Sequence, residues 1–235
     1  MERVLCVAVQ APVVSFRRPL DHNYQRTLPM PPPTTLIGLA GAVLGASDYH
    51  LWAEDSLFRD IKVSVWMDIE PGYAQDMWTL LKIKSGKMER SPYMRELLFD
   101  VHYTLLYGGS EDLLTQLEQG FRDPVYPLSL GREDELLFVK DITVDSASSG
   151  ESRFRGTILP GDIREMPVRP ILQPGIRFEP PLVERLPLSF SVDDKRIRHP
   201  ENHAVFSFLP LELELEVPNL PALQCRGRNF VWANF

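Results

Sequence analysis

Apolar and polar residues alternate in blocks that change period along the chain. Residues 3–14 are β-branched and apolar almost throughout and read as a buried first strand. A turn-like stretch, 15–33, follows, with prolines at 29, 31, 32 and 33. Thr34 and Thr35 are expected to cap a helix running from Leu36 to about Gly45, with Pro33 fixing its start. Residues 61–69 carry valines and a tryptophan in strand fashion. Residues 73–95 form two mixed arms about Ser85-Gly86, which predicts a β-hairpin projecting from the body. Residues 96–107 read as a separate strand that ends at Gly108-Gly109. Ser110 then precedes Leu113, Leu114, Leu117 and Phe121 at helical spacing: an N-cap and an amphipathic helix, stopped by Asp123-Pro124. A further strand is expected at 136–144 and a closing loop at 145–152.

The order strand, helix, strand, strand, helix, strand is that of the ferredoxin-like split unit, which RNA-recognition (RRM) domains share. The fold class is therefore α+β, with a βαββαβ unit over 1–150 and a β-rich extension over 151–235 packed on it as extra sheet. In that extension Leu211, Leu213 and Leu215 alternate strictly with Glu212, Glu214 and Glu216, so one strand face is buried and the other solvated.

Composition narrows the function classes. At 44% hydrophobic and 24% charged residues, the chain reads as a globular domain and not as a disordered one. The longest apolar run, 36–46, is glycine-rich and short of the roughly 20 residues that cross a bilayer. With no signal-peptide layout at the start, the expectation is a cytoplasmic protein. Cys6 and Cys225 lie almost a chain length apart, outside metal or redox spacing, and read as reduced, buried thiols.

A net charge of −7 is unusual for a nucleic-acid binder, but phosphate binding depends on local clusters. Lys82, Lys84, Lys87, Arg90 and Arg95 fall together on the hairpin with Glu89 as the one acid among them, and Trp78, Tyr93 and Met88 are interleaved for stacking. The stretch Thr27-Leu28-Pro29-Met30-Pro31-Pro32-Pro33-Thr34-Thr35-Leu36-Ile37-Gly38-Leu39 is a rigid loop delivering a helix N-terminus with two hydroxyls. Such an end suits a phosphate, and equally the simple capping of a core helix. Arg17, Arg18 and Arg26 flank that helix start, either as one phosphate path or as ordinary surface arginines. Gly131-Arg132 offers a close backbone approach with a phosphate contact, or a turn that starts a strand. His199 and His203 flank Glu201 after Pro200, which could begin a helical turn. Two histidines without a nearby cysteine make an incomplete zinc set, so no metal and no cofactor are expected.

The stretch 27–39 resembles the signature of the Cas-five family, CRISPR-associated proteins of the RAMP superfamily. A second block, Asp123-Pro124-Val125-Tyr126-Pro127-Leu128-Ser129-Leu130-Gly131-Arg132, is similar to the family's segment after its second helix, in the right order and spacing. The resemblance implies a ferredoxin-like palm with a β-hairpin thumb, here about residues 73–95. It implies a subunit of a type I effector (Cascade) complex in antiviral defence that holds the 5′ handle of the guide RNA (crRNA). Its protein partners would be the backbone and large subunits; a contact with target DNA near the PAM is left open. The expected RNA-binding residues are Arg17, Arg18, Arg26, Thr27, Thr34, Thr35, Lys82, Lys84, Lys87, Arg90, Arg95, Gly131 and Arg132.

Relatives that cleave repeat RNA carry a Lys-His pair just before the strand corresponding to 97–107. This chain reads Arg95-Glu96 there. Arginine is a poor base, and a glutamate repels phosphate. The expectation is a subunit without catalytic residues. His22, His102 and Tyr24 are the substitutes on which an endoribonuclease reading would rest; an α+β binding domain unrelated to CRISPR is the third reading.

Overall fold

The structure, a computed structural model, describes residues 2–19, 21, 24–84, 87–172, 174–175 and 179–234; the side chains of Lys82, Lys84 and Lys87 lie outside that description. The hairpin tip Ser85-Gly86 and His22 also fall outside the described residues.

The first half holds β1 (Glu2–Val14), β2 (Tyr24–Gln25), α1 (Pro33–Leu44), α2 (Asp48–Trp52), β3 (Lys62–Ile69), β4 (Gly72–Lys84), β5 (Lys87–Gly108), α3 (Glu111–Arg122) and β6 (Phe138–Ser149). Four long strands lie in the order β6-β1-β5-β3, each antiparallel to its neighbour. Both long helices, α1 and α3, cover one face. Leu5, Val7 and Val9 of β1 meet Leu36, Ala40 and Val43 of α1 and Leu113, Leu117 and Phe121 of α3 in one buried cluster. Alternation sends Val4 and Cys6 to the opposite face, where Trp66, Leu106, Phe230 and Trp232 cover them. The middle of the first strand, Val4–Val9, is therefore apolar because both its faces are buried.

The second half supplies β7 (Arg153–Phe154), β8 (Ile158–Pro160), β9 (Arg169–Ile171), β10 (Leu182–Val192), β11 (Arg198–Phe208), β12 (Glu214–Glu216), β13 (Leu223–Cys225) and β14 (Arg228–Phe230). The pair β13-β14 joins the edge of β6, and β8, β10 and β11 form a separate sheet. Ile158, Leu186, Phe206 and Phe208 enter the main core. Leu213 and Leu215 are buried in a smaller cluster, as the alternation required, but only Glu214–Glu216 is strand, and Leu211 is half-buried against the main core.

Four sequence expectations change. The helix begins three residues earlier, with Pro32 as N-cap, Pro33 at N1 and no capping side chain. Each proline pushes its predecessor out of the helical region, so the first residue free to turn is Pro33, and Thr34 and Thr35 lie inside the first turn. Residues 73–107 do not divide into a hairpin and a separate strand: β5 is continuous over 22 residues and pairs with β4, β3 and β1 in succession. The loop expected at 145–152 is largely strand, because β6 pairs on to Glu2↔Ala147 and then with β13. Pro200 starts no helical turn; it lies within β11, opposite Phe190.

Candidate functional site

The proline run, the loop after β1 and the turn before β6 meet at the N-terminus of α1. Together they form a cleft of about 390 Å³ lined by Arg17, Arg18, Thr34, Thr35, Gly131 and Arg132, with Leu186, Pro187 and Phe190 of β10 as its far wall. A second groove of about 490 Å³ continues along α1 past Gly38 and Trp52 to Arg198. Among the described residues the Thr34 and Thr35 hydroxyls have no hydrogen-bond partner, and Pro33 contributes no N–H, so this helix end is open toward the cleft.

Gly131 is there for its backbone. Its φ is +111°, and a Cβ would collide with the Ser15 carbonyl oxygen and the Glu135 carboxylate. The close approach is therefore to the chain's own loop. Glu135 is the hub behind it: its buried carboxylate accepts from the Ser15 N–H (2.8 Å), the Ser15 hydroxyl (2.6 Å) and the Arg132 N–H (2.9 Å). This ties the loop after β1 to the turn that presents Arg132. Sequence reasoning did not find Glu135; its only signal was an acidic residue closely following Gly131-Arg132.

The arginines take different roles. Arg17 is exposed and donates to the Asp21 carbonyl (2.7 Å); among the described residues it has no carboxylate partner. Arg18 is held by Glu184 of β10, from Nε at 2.7 Å and from the guanidinium end at 2.6 Å, which closes the cleft wall. Arg26 does not line the cleft. It clamps Asp21 with its backbone N–H and its guanidinium. Burial alone would raise the Asp21 carboxyl, but these bonds hold it below the usual carboxylate range. Thr27 is also internal, its hydroxyl accepting from the Phe16 N–H and donating to the Leu28 carbonyl.

The hairpin has two unlike faces. Register pairs Trp78 with Tyr93, Asp76 with Arg95, Lys82 with Glu89 and Lys84 with Lys87, so positions 76, 78, 82, 84, 87, 93 and 95 share one face. The other carries Met77, Leu81, Ile83 and Met88, all exposed, together with Arg90, the partner of Leu81. The five basic positions therefore do not share a face; Arg90 lies on the apolar one. Trp78 links the hairpin to the cleft. The Arg95 guanidinium stands 3.7 Å from its ring centroid and that of Arg132 4.2 Å, while Arg95 also pairs with Asp76 at 2.9 Å.

Of the substitutes on which an endoribonuclease reading would rest, His22 lies outside the described residues, while Tyr24 and His102 each have a partner. Glu96 accepts from the Tyr24 hydroxyl (2.9 Å) and the Thr27 N–H (2.9 Å). The hydrogen bond to Glu96 pushes the Tyr24 phenol far above its ordinary range, so it stays protonated. His102 is half-buried on β5 beside Asp100 at 3.2 Å, and His199 pairs with Asp193 at 3.2 Å. Among the described residues no helix is long and apolar enough to cross a membrane.

Comparison with known proteins places this architecture. No curated protein matches the sequence. A crystal structure of a CRISPR protein from Archaeoglobus fulgidus is similar at 13% identity and a TM-score of 0.55, covering 98% of this chain and 99% of its own. A chain of a CRISPR RNA-guided surveillance complex is similar at 16% identity and a TM-score of 0.53, covering 95% and 91%. A crystal structure of a Cas protein, 23% identical with a TM-score of 0.39, matches over 57% of this chain and 58% of its own. At these identities the likeness to the first two structures speaks to the fold. The sequence itself decides the family, because the model for CRISPR-associated protein (Cas_Cas5) matches residues 4–175, and the chain therefore belongs to the Cas5 family.

Proposed function

We propose that this Cas5-family protein is a non-catalytic subunit of a type I CRISPR effector complex that holds the 5′ handle of the guide RNA. In this reading the β6-β1-β5-β3 sheet with α1 and α3 is the ferredoxin-like palm within residues 1–150, β4-β5 is the thumb, and residues 151–235 brace one wall of the cleft. The carrying observation is convergence. Arg17, Arg18, Thr34, Thr35, Gly131 and Arg132 come from three separate segments and line one cleft, with Trp78 and Arg95 of the hairpin stacked at its Arg132 side.

A helix N-terminus whose threonine hydroxyls have no hydrogen-bond partner among the described residues, an arginine with no carboxylate partner among them, and a stacked indole suit phosphate, sugar and base in turn. The similarity to a chain of a CRISPR RNA-guided surveillance complex supports the assembly; the backbone and large subunits are the protein partners that the family resemblance implies. The occupied state of Glu96 and Tyr24 supports a role in holding RNA over one in cutting it.

The test uses Thr34→Val with Thr35→Val. Neither hydroxyl caps the helix, so the thermal midpoint should stay unchanged. Binding of handle-containing RNA should fall by about tenfold, a hydrogen bond to a charged oxygen being worth about 1.5 kcal/mol or more. Wild-type affinity in a well-folded double variant would remove the helix start from the site.

A further inference from the structure

Cys6 and Cys225 lie at opposite ends of the sequence, yet the fold brings their sulfurs to 3.9 Å. Cys6 is on the face of β1 turned away from the helices, and Cys225 ends β13. Asp145 of β6 completes a group of three: in register it pairs with Val4, which shares the face of Cys6. One carboxylate oxygen and both sulfurs lie within 4.8 Å of one another. The thiols are buried, while the Asp145 side chain is 39% exposed, so the group opens to solvent on its oxygen side.

The sulfur separation discriminates between two chemistries. Two sulfurs on a tetrahedral metal at bonds of about 2.3 Å stand about 3.8 Å apart. A disulfide needs about 2.05 Å. The observed distance matches co-ligands and equally an S–H···S contact between two thiols; the carboxylate oxygen beside both sulfurs is what points to a cation.

We propose that Cys6, Cys225 and Asp145 bind one thiophilic divalent cation of the zinc class, with water as the fourth ligand. The charges balance. Two thiolates and a carboxylate against a dication leave one negative charge, and the Arg226 guanidinium lies 3.6 Å from Asp145 to offset it. Arg226 also donates to the Thr143 hydroxyl, which keeps it at the rim. Without a cation, burial pushes the Cys6 thiol up and keeps it neutral. On binding, each S–H bond breaks, its electron pair becomes a metal–sulfur bond and the proton leaves to solvent; nothing is oxidised. The bound ion staples β13-β14 to β6 and β1, fastening the C-terminal segment to the second face of the sheet. It shares no residue with the cleft.

The experiment strips the full-length protein with a chelator and titrates it with Co²⁺. A thiolate-to-cobalt charge-transfer band should saturate at one equivalent and be displaced by Zn²⁺. Cys225→Ser should abolish the band, and Asp145→Asn should keep it but weaken Co²⁺ affinity by at least the roughly tenfold that losing even an outer-shell partner costs. Zinc should raise the thermal midpoint of wild type and not of Cys225→Ser. Absence of a band in folded wild type would overturn the proposal. So would an intact mass two hydrogens lower with no free thiol after denaturation, which would make the pair a disulfide. An Asp145→Asn variant that binds as tightly as wild type would overturn the ligand set. Should Cys225→Ser fail to fold, the titration and intact mass of the wild-type protein still decide between these outcomes.

Discussion

The loop around residues 15–33 and the β4-β5 hairpin are both basic, and they are built in opposite ways. The loop is bound to the body by remote acids. Glu184 holds Arg18 in a pair whose side chains are only 19% and 18% exposed, Glu96 holds Thr27, and Glu135 holds Ser15. The outer hairpin has no core beneath it: beyond Thr79 its two arms pair only with each other, and Leu81, Ile83 and Met88 are exposed. In the proposed reading, one region is a preorganised wall that would fix where a phosphate sits. The other is an arm whose contribution is charge, stacking and reach. Substitutions in the wall should therefore cost folding as well as binding, and those in the arm binding alone.

The sharpest break in that comparison is Gly131→Ala. At φ +111° with the Ser15 carbonyl and Glu135 carboxylate in the way, it should cost about 3 kcal/mol or more, read as a fall in denaturation midpoint together with loss of RNA binding. In the arm, replacing Lys82, Lys84 and Lys87 with alanine should leave the midpoint alone. It should weaken RNA binding about 50-fold at physiological salt and flatten the salt slope by about 2, as expected from about 0.7 counterions released per single-strand phosphate. Trp78→Ala comes next. It should cost about tenfold in affinity with little change in slope, the loss of one stacking platform. Arg90→Ala, on the apolar face of the same hairpin, should change affinity less than about twofold under the same salt series. If Arg90→Ala matches the lysine variant, the two-faced account of the arm is wrong.

Much of this was legible in the sequence because it depends on local pattern. Leu113, Leu117 and Phe121 at helical spacing after Ser110 gave α3, whose cap accepts from the Leu113 N–H as the motif required. The hairpin followed from two arms about a glycine. What stayed hidden depends on long-range partners. Arg18 and Arg26 read as equivalent, both on one phosphate path or both ordinary surface arginines, and only the fold shows that one faces Glu184, 166 residues away, and the other Asp21. Trp78 was expected to stack on bases; that the ring stacks with the Arg95 and Arg132 guanidinium groups, between the hairpin and the cleft, was not legible. The proline run misled in a specific way. Thr34-Thr35 matched a cap pattern, yet consecutive prolines moved the helix start to Pro33. The arm's strand period was readable, but spreading five basic residues over two faces needed the register across the tip.

The most direct measurement of the central claim maps where the RNA lies. Guide RNAs carrying one photoactivatable uridine at successive handle positions would be assembled with the full complex, irradiated, and their crosslinked peptides identified by mass spectrometry. The account predicts that handle positions crosslink to the peptides holding Arg17, Thr34 and Arg132, that neighbouring positions reach Trp78, and that spacer positions do not. Crosslinks from the handle confined to the exposed far end of β10-β11, or spacer positions labelling the cleft as strongly as the handle does, would contradict it.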